Sequence, residues 1–160
     1  AVTRMTVIGV FLMNSGLAAY YHRGALAAGL GLEAPEDYLR RTERSFPVAE
    51  AVNRLVPAAS KVLNAEEIHG FYFEPEMIRE KIYRRMTGYP QKAGSPDAVA
   101  RFLKQDGFEY VLLAEGPDAP DPEPLQIQRL LRDASWTSRY AELLLETHAG
   151  GVRYRLFRLR

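Results

Sequence analysis

The sequence predicts an α/β fold: a small Rossmann-like sandwich with a central, partly parallel sheet, flanking helices and a C-terminal antiparallel hairpin. Apolar runs near Val62 and Val111 are nearly continuous, which is typical of strands covered on both faces. Segments with helical spacing of apolar residues precede and separate these runs. Near the C-terminus, alternating apolar and charged residues follow the pair Gly150 and Gly151, as expected for a hairpin.

The composition is that of a globular protein with little net charge. The 160 residues include 21 Lys and Arg and 20 Asp and Glu, a formal net charge of +1. Because this charge produces no strong attraction for polyanions, we expect no nucleic-acid partner. Cysteine is absent, which excludes disulfides, thiolate metal sites and a cysteine nucleophile but leaves the redox compartment open.

Residues 1–28 form an apolar N-terminal segment, and we place a single α/β domain at residues 29–160. No charged residue occurs from Met5 to Tyr21. As a helix this stretch would extend about 25 Å, against a hydrocarbon thickness of about 30 Å. The residues are consistent with a buried helix, a pair of short strands, the end of a membrane span or a signal peptide. All four interpretations stay open.

The first elements of the domain follow from prolines and apolar spacing. A helix is predicted from Pro35 to Phe46, and a second begins at Pro47 and ends before Pro57. Val62–Leu63 then forms a buried strand. This order predicts two helices before the first strand of the sheet.

The remaining elements alternate helices and strands. A third helix is predicted from residues at helical spacing: Met77, Ile78, Lys81, Ile82, Arg85 and Met86. The fourth helix has Ser95 as its N-cap and ends at Gly107. The strand at 108–115 follows, then a helix at 125–133, with Trp136 in the connection to the hairpin.

Four residues after the first strand are the candidate ligand-binding residues: Glu66, Glu67, His69 and Tyr72. They follow the carboxyl end of a strand, where open α/β sheets bind ligands. Two carboxylates beside a histidine suit acid and base chemistry if one cleft brings them together. If the strand continues past Ala65, however, the two glutamates point to opposite faces. The structural alternative is a solvated strand end, with Phe71 and Phe73 in the core.

The chain contains no complete catalytic motif, so no catalytic residue is predicted. His22, His69 and His148 are far apart in sequence and form no H-E-x-x-H pair, so no metal is expected. A G-x-S-x-G elbow and a phosphate-binding loop are also absent from the sequence. Gly29, Gly31 and Ala34 fit the dinucleotide fingerprint G-x-G-x-x-A only in spacing, because no β-branched strand precedes them. No cofactor is predicted.

Two groups of basic residues are candidate surfaces for lipid head groups or for a phosphorylated lipid carrier. The first comprises Arg84, Arg85 and Lys92, and the second comprises Arg153, Arg155, Arg158 and Arg160. A cation close to an anionic membrane surface contributes about 1 kcal/mol to binding. Solvated arginines without a partner are the ordinary alternative.

Four stretches carry a family resemblance: "GLEAPEDYLRRTERSFPVAEAVNRLVP", "KVLNAEEIHGFYFEP", "FLKQDGFEYVLLAE" and "YAELLLETHAGGVRYRLFRL". Together, across Gly29 to Arg160, they resemble the C-terminal extracytoplasmic domain of bacterial multi-pass membrane glycosyltransferases. These are C-type enzymes similar to the dolichyl-phosphate-mannose-protein mannosyltransferases. The matching features are a helix opened by Tyr38 and Leu39, a strand ending in Glu66 and the turn 71–73, the strand 108–113 and the hairpin end 152–157.

The resemblance implies a parent enzyme that transfers a sugar from a polyprenyl-phosphate donor. The family's catalytic acids lie in a loop among transmembrane helices that this chain lacks, so none is carried over. We therefore expect a non-catalytic accessory domain on the extracytoplasmic, periplasmic side, aiding acceptor docking or stability. Its expected partners are the membrane-embedded body of the enzyme and a polyprenyl-phosphate sugar or acceptor. Met5–Tyr21 would then be the remainder of the final span.

The residues leave two other functions open. A stand-alone domain for small ligands would use the loop from Glu66 to Tyr72, at the carboxyl edge of the sheet. A protein-interaction module would use an exposed apolar patch or the edge strand of the C-terminal hairpin.

Overall fold

The computed structural model of the protein describes residues 13, 15–17, 25–65, 70–116 and 126–160. The chain divides into two compact units, Ala1–Glu43 and Arg44–Arg160. Within the described part of the first unit, helix α1 spans Leu26–Gly29 and helix α2 spans Pro35–Thr42. The division at residue 28 stays a prediction, since residues 1–12, 14 and 18–24 lie outside the described part.

The described part of the second unit is built around a five-stranded sheet of order β2-β1-β3-β5-β4. The strands are β1 (Lys61–Ala65), β2 (Glu76–Arg79), β3 (Phe108–Glu115), β4 (Ala141–Ala149) and β5 (Val152–Leu159). The helices are α3 (Ser45–Leu55), α4 (Glu80–Thr87), α5 (Tyr89–Ala93), α6 (Pro96–Gln105), α7 (Ile127–Arg132) and α8 (Ala134–Tyr140). β1 is parallel to β2 and β3, and β5 is antiparallel to β3 and β4. The predicted α/β sandwich with a partly parallel sheet is confirmed.

The central strands are buried on both faces. Leu63, Val111 and Phe157 pack with α4 to α8 in one apolar layer. Val62 and Leu112 pack with α3 in the other. Successive residues of a strand point to opposite faces, so a strand covered by both layers is apolar throughout, which explains the continuous apolar runs. Complete burial of one such side chain contributes about 1.5 to 3 kcal/mol.

The segment before α4 differs from the prediction. The sequence predicts a helix through Met77 and Ile78, but Glu76–Arg79 is extended and pairs in parallel with β1. Met77 packs in the layer of α3 and Ile78 in the opposite layer. Two adjacent apolar residues fit either periodicity, so pairing with β1 decides between strand and helix.

Other boundaries also differ from the sequence prediction. The helix predicted from Pro35 to Phe46 is α2, which ends at Thr42. Phe46 belongs instead to α3, which begins at Ser45. Trp136 lies in α8 rather than in a connection, and its indole N–H donates to the carbonyl oxygen of Pro96 at 2.8 Å. Asp133 caps α8 by accepting from backbone N–H groups in the first turn, which explains where the helix begins.

The sequence predicts a hairpin turn at Ala149, Gly150 and Gly151, and the structure forms it from the two glycines alone, with Ala149 ending β4. Gly150 and Gly151 have φ angles of 56° and 77°, and the flanking Ala149 and Val152 pair directly. Two left-handed residues in a two-residue loop match the twist of a hairpin. A Cβ on Gly150 would lie 2.9 Å from the Cβ of Arg44, whereas one on Gly151 meets no described atom within 4 Å.

We expect Gly150→Ala to lower the free energy of unfolding more than Gly151→Ala. Both variants place alanine at positive φ, which costs about 1 to 2 kcal/mol. Only Gly150→Ala adds a collision with Arg44. Urea denaturation of the two variants measures the difference, and equal losses would contradict the packing argument.

Candidate functional site

The predicted ligand-binding loop lies only partly within the described structure. Glu66, Glu67 and His69 are outside it, so their role stays a prediction. Tyr72 is half-buried, and its ring meets the ring of Phe46 edge-on, with centroids 5.2 Å apart. The Tyr72 carbonyl oxygen accepts from Nδ2 of Asn53 at 2.9 Å. Tyr72 is therefore attached to α3.

Asn53 fixes the described end of this loop. Its Nδ2 donates to the Tyr72 carbonyl oxygen, and its Oδ1 accepts from the backbone N–H of Glu74 at 2.9 Å. Phe73 is buried, as the structural alternative predicted, but Phe71 is 87% exposed, so the expectation that it enters the core is wrong. The two hydrogen bonds of Asn53 hold the segment 72–74 against α3, while the Phe71 side chain faces solvent.

The carboxyl ends of β1 and β3 form the point where the sheet changes its direction of winding. β1 leads to β2 on one side, whereas β3 leads through α7 and α8 to β4 on the far side. Adjacent parallel strands connected in opposite directions leave a crevice at their carboxyl ends, where α/β folds bind ligands. This edge is the candidate site.

Asn64 is a buried polar residue at this edge. It is 2% exposed, and its Oδ1 has no hydrogen-bond donor in the described structure. An unsatisfied buried acceptor costs about 1 to 3 kcal/mol. Our sequence analysis did not select Asn64, although a polar residue inside the apolar strand "KVLNA" is a visible signal.

A second polar group lies at the carboxyl end of β2. Glu80 is 2% exposed, and its Oε1 accepts from the Tyr89 hydroxyl at 2.9 Å and lies 3.6 Å from Nε of Arg84. The Tyr89 hydroxyl accepts in turn from the backbone N–H of Ile127 at 3.3 Å. Glu80, Tyr89 and Ile127 are the first residues of α4, α5 and α7, so one network joins the starts of three helices.

Two tyrosines in this layer hold their protons unusually strongly. Burial raises the pKa of Tyr89 well above 10.0, and the neighbouring Glu80 carboxylate adds to the effect. Burial also raises the pKa of Tyr83, whose hydroxyl donates a hydrogen bond to Oδ2 of Asp106. Both groups are therefore neutral hydrogen-bond donors at physiological pH.

Glu115 ends β3 and binds two arginines. Its Oε1 accepts from Nε of Arg132 at 2.8 Å, and its Oε2 lies 2.8 Å from a terminal nitrogen of Arg155. The side chains of Glu115 and Arg155 are only 15% and 13% exposed. Water screens a largely buried ion pair less than a surface pair, so the attraction between Glu115 and Arg155 is stronger than that of an exposed pair.

The structure distinguishes the two predicted basic surfaces. Each hairpin arginine has a partner: Arg153 with Glu146, Arg155 with Glu115, Arg158 with Glu142, and Arg160 with the carbonyl oxygen of Ser138. Hydrogen bonds from the arginines lower the pKa of the Glu142 and Glu146 carboxyl groups. The acids of the same sheet therefore compensate most of the hairpin's positive charge.

The described part of the first unit contains an open apolar pocket of about 270 Å³. Its lining residues are Ala25, Leu26, Gly29 and Leu30. Gly29 ends helix α1 and does not follow a strand, so the glycine spacing lacks the structural setting of a dinucleotide site. Without a polar side chain in its lining, the pocket has little to orient a ligand.

Comparisons with protein-family models, curated proteins and solved structures find no match to this chain. Across the described ranges, no three His, Asp or Glu side chains are grouped so that they could hold a metal ion. The same ranges contain no helix with the length and apolar character of a membrane span. Met5–Tyr21 falls largely outside them. The glycosyltransferase resemblance therefore depends on the sequence motifs alone.

We expect Tyr89→Phe to lower the free energy of unfolding by about 1 to 3 kcal/mol, because it leaves buried polar groups of Glu80 and Ile127 without this partner. Tyr140→Phe is the matched control, since Tyr140 is half-buried and its hydroxyl forms no hydrogen bond in the described structure. Its effect should stay within about 0.5 kcal/mol. Similar losses in urea denaturation would argue against the network.

We also expect the free energy of unfolding to fall as pH rises above about 10. Tyr83 and Tyr89 have folded-state pKa values above 10.0, so the unfolded chain releases these protons first. The stabilisation is complete below the unfolded-state pKa and is lost as pH rises toward the folded-state values. Each tyrosine contributes a slope of up to about 1.4 kcal/mol per pH unit.

Urea denaturation at about pH 9 and about pH 11 tests this linkage in the wild type, Tyr89→Phe and Tyr140→Phe. Tyr89→Phe should lose less stability between the two pH values than the wild type and the control do. An identical loss in all three proteins would show that Tyr89 is not linked to alkaline unfolding.

Proposed function

We propose that the chain is a non-catalytic accessory domain of a membrane glycosyltransferase that uses polyprenyl-phosphate sugar donors. Its role is to aid acceptor docking or to stabilise the membrane-embedded body, on the extracytoplasmic, periplasmic side. The resemblance of Gly29 to Arg160 to such domains is the basis of the proposal. The domain supplies a surface and a rigid body, and the transfer chemistry belongs to the membrane part.

One geometric observation carries the non-catalytic part of the proposal. The two acids at the described carboxyl ends of β2 and β3 are bound by the chain's own groups: Glu80 by Tyr89 and Arg84, and Glu115 by Arg132 and Arg155. A general acid or base must exchange a proton with the substrate. Carboxylates held in this way support the architecture of the edge instead.

The positions of the resemblance motifs are compatible with the proposal. Tyr38 and Leu39 lie in α2, residues 108–113 form most of β3, and residues 152–157 form most of β5. The last two segments pair with each other in the centre of the sheet. Most of the shared pattern therefore belongs to the folded body rather than to a reactive loop.

A stand-alone domain for small ligands is the second candidate. It is favoured by the unsatisfied Oδ1 of Asn64, because a ligand that donates a hydrogen bond would remove its desolvation cost. An interaction module using β4 has less support. Leu143 is 47% exposed on this edge strand, but a bulge beside it and the acids Glu142 and Glu146 are features that oppose edge-to-edge pairing.

Two results are expected if the chain is an accessory domain. The purified chain, given a polyprenyl-phosphate sugar and a peptide or glycan acceptor, should transfer no sugar. The reading frame should continue upstream of Ala1 into several hydrophobic spans, with paired acids in the first external loop. Transfer by the chain alone would contradict the non-catalytic role, and an upstream frame without such spans would contradict the parentage.

A further inference from the structure

Helix α4 has an unusual distribution of side chains. The side that faces the sheet carries Glu80 and Tyr83, which are 2% and 7% exposed. The outer side carries Ile82 and Met86, which are 50% and 80% exposed. A surface helix ordinarily buries its apolar residues and exposes its polar ones. Three of these four residues depart from this rule, since Glu80 is buried and Ile82 and Met86 are exposed, while the Tyr83 ring packs in the core as expected.

Hydrogen bonds hold α4 in this orientation. Glu80 accepts from Tyr89, and Tyr83 donates to Asp106 just before β3. Turning the helix to bury Ile82 and Met86 would break both bonds and leave buried polar groups unpaired, each at a cost of the full desolvation penalty. The exposure of the two apolar side chains is therefore built into the fold.

Three exposed cations lie on α4 and on the helix that follows it. Lys81 and Arg85 are exposed on α4, and Lys92 is exposed on the next helix, α5. Within the described chain, none of these three side chains forms a hydrogen bond or an ion pair. The segment 76–93 contains five Lys and Arg and two Glu, a net charge of +3, although the whole chain carries only +1.

We propose that the outer side of α4, formed by Lys81, Ile82, Arg85 and Met86, is a docking surface for an anionic lipid bilayer. Residues four apart on a helix are neighbours, so the two cations lie together beside the two apolar side chains. This combination suits a membrane interface, where cations meet the head groups and apolar side chains enter the acyl boundary. Of the two basic groups predicted from the sequence, the one on α4 and α5 keeps two cations without a partner in the described structure, Arg85 and Lys92, whereas Arg84 lies against Glu80.

Charge favours a bilayer over the other occupants of such a surface. A second copy bound about a twofold axis would place Lys81 and Arg85 near their own counterparts, where like charges repel. Single-stranded nucleic acid would call for aromatic side chains on which bases stack, whereas this surface offers Ile82 and Met86. The inference goes beyond the proposed function, since binding of lipid by α4 requires no enzyme body.

The test is partitioning of the whole chain between buffer and vesicles at about 0.1 M salt. Vesicles of phosphatidylcholine alone are compared with vesicles that contain about 30% phosphatidylglycerol. The ratio of the two partition coefficients isolates the charge-dependent part, because any affinity of the apolar residues 5–21 for lipid would contribute to both kinds of vesicle. The Lys81→Gln/Arg85→Gln variant should lower this ratio by about 30-fold, since two cations are lost.

Arg101→Gln/Lys104→Gln is the matched control. Both residues are exposed on α6, and their replacement changes the net charge by the same amount. The control should keep the ratio within about twofold of the wild type, and both variants should keep the wild-type urea midpoint because all four side chains are exposed. Met86→Ser, which keeps the charge, should lower binding to anionic vesicles about tenfold.

Three results would overturn the assignment. An equal fall of the partition ratio in the α4 variant and the α6 control would show that binding reflects general charge attraction. Displacement of the chain from vesicles by millimolar glycerol phosphate would indicate a site for a soluble phosphate ester. A concentration-dependent mass that the α4 variant abolishes, with vesicle binding unchanged, would identify a contact between copies. None of these results bears on the upstream reading frame, so the proposed parentage is tested independently.

Discussion

Burial of the central strands on both faces is the constraint on which the rest of this domain depends. Val62 and Leu63 in β1, like Val111–Leu113 in β3, are fully removed from solvent. Strands of this kind require helices on both sides, which α3 and the α4 to α8 group provide. The parallel pairing of β1 and β3 also places their carboxyl ends together. The candidate site is a consequence of the same burial that stabilises the fold.

The polar network under α4 connects the core to the surface. Glu80, Tyr89 and Ile127 join the starts of three helices through groups that are almost completely buried. Buried polar groups of this kind specify one arrangement, because every alternative leaves a donor or acceptor unpaired. By fixing the rotation of α4 about its axis, the network also determines that Ile82 and Met86 face outward. An internal hydrogen-bond requirement thus sets the chemistry of an external surface.

The net charge of the chain is a poor guide to its surface. Arginines of the C-terminal hairpin are matched by Glu115, Glu142 and Glu146, so this basic stretch carries little excess charge once folded. Lys81 and Arg85 have no such partners in the described structure. Attraction of an anionic surface depends on local excess rather than on the sum over the chain. Pairing in three dimensions separates two basic groups that are equivalent in the sequence.

Local patterns alone determined β1, β3, the hairpin and helix α6. Each has a signal contained in a few neighbouring residues, such as the Ser95 cap, which accepts from the N–H of Ala98, or the pair Gly150 and Gly151. The sequence also predicted the carboxyl edge of β1 as the place for a site, because that follows from parallel pairing. The described site residues Asn64, Glu80 and Glu115 were not selected, although Asn64 interrupts an apolar strand, because the burial of all three is set by the packing of the folded chain.

Tertiary structure decided what such short-range patterns leave undetermined. The segment 76–79 is a strand because its hydrogen-bonding groups pair with β1, which a helical reading of Met77 and Ile78 does not include. The side of α4 that faces the sheet is likewise set by Tyr89 and Asp106, which lie outside the helix, 9 and 23 residues from their partners Glu80 and Tyr83. A short segment can satisfy two periodicities equally, and only contacts with the rest of the chain make one of them lower in free energy.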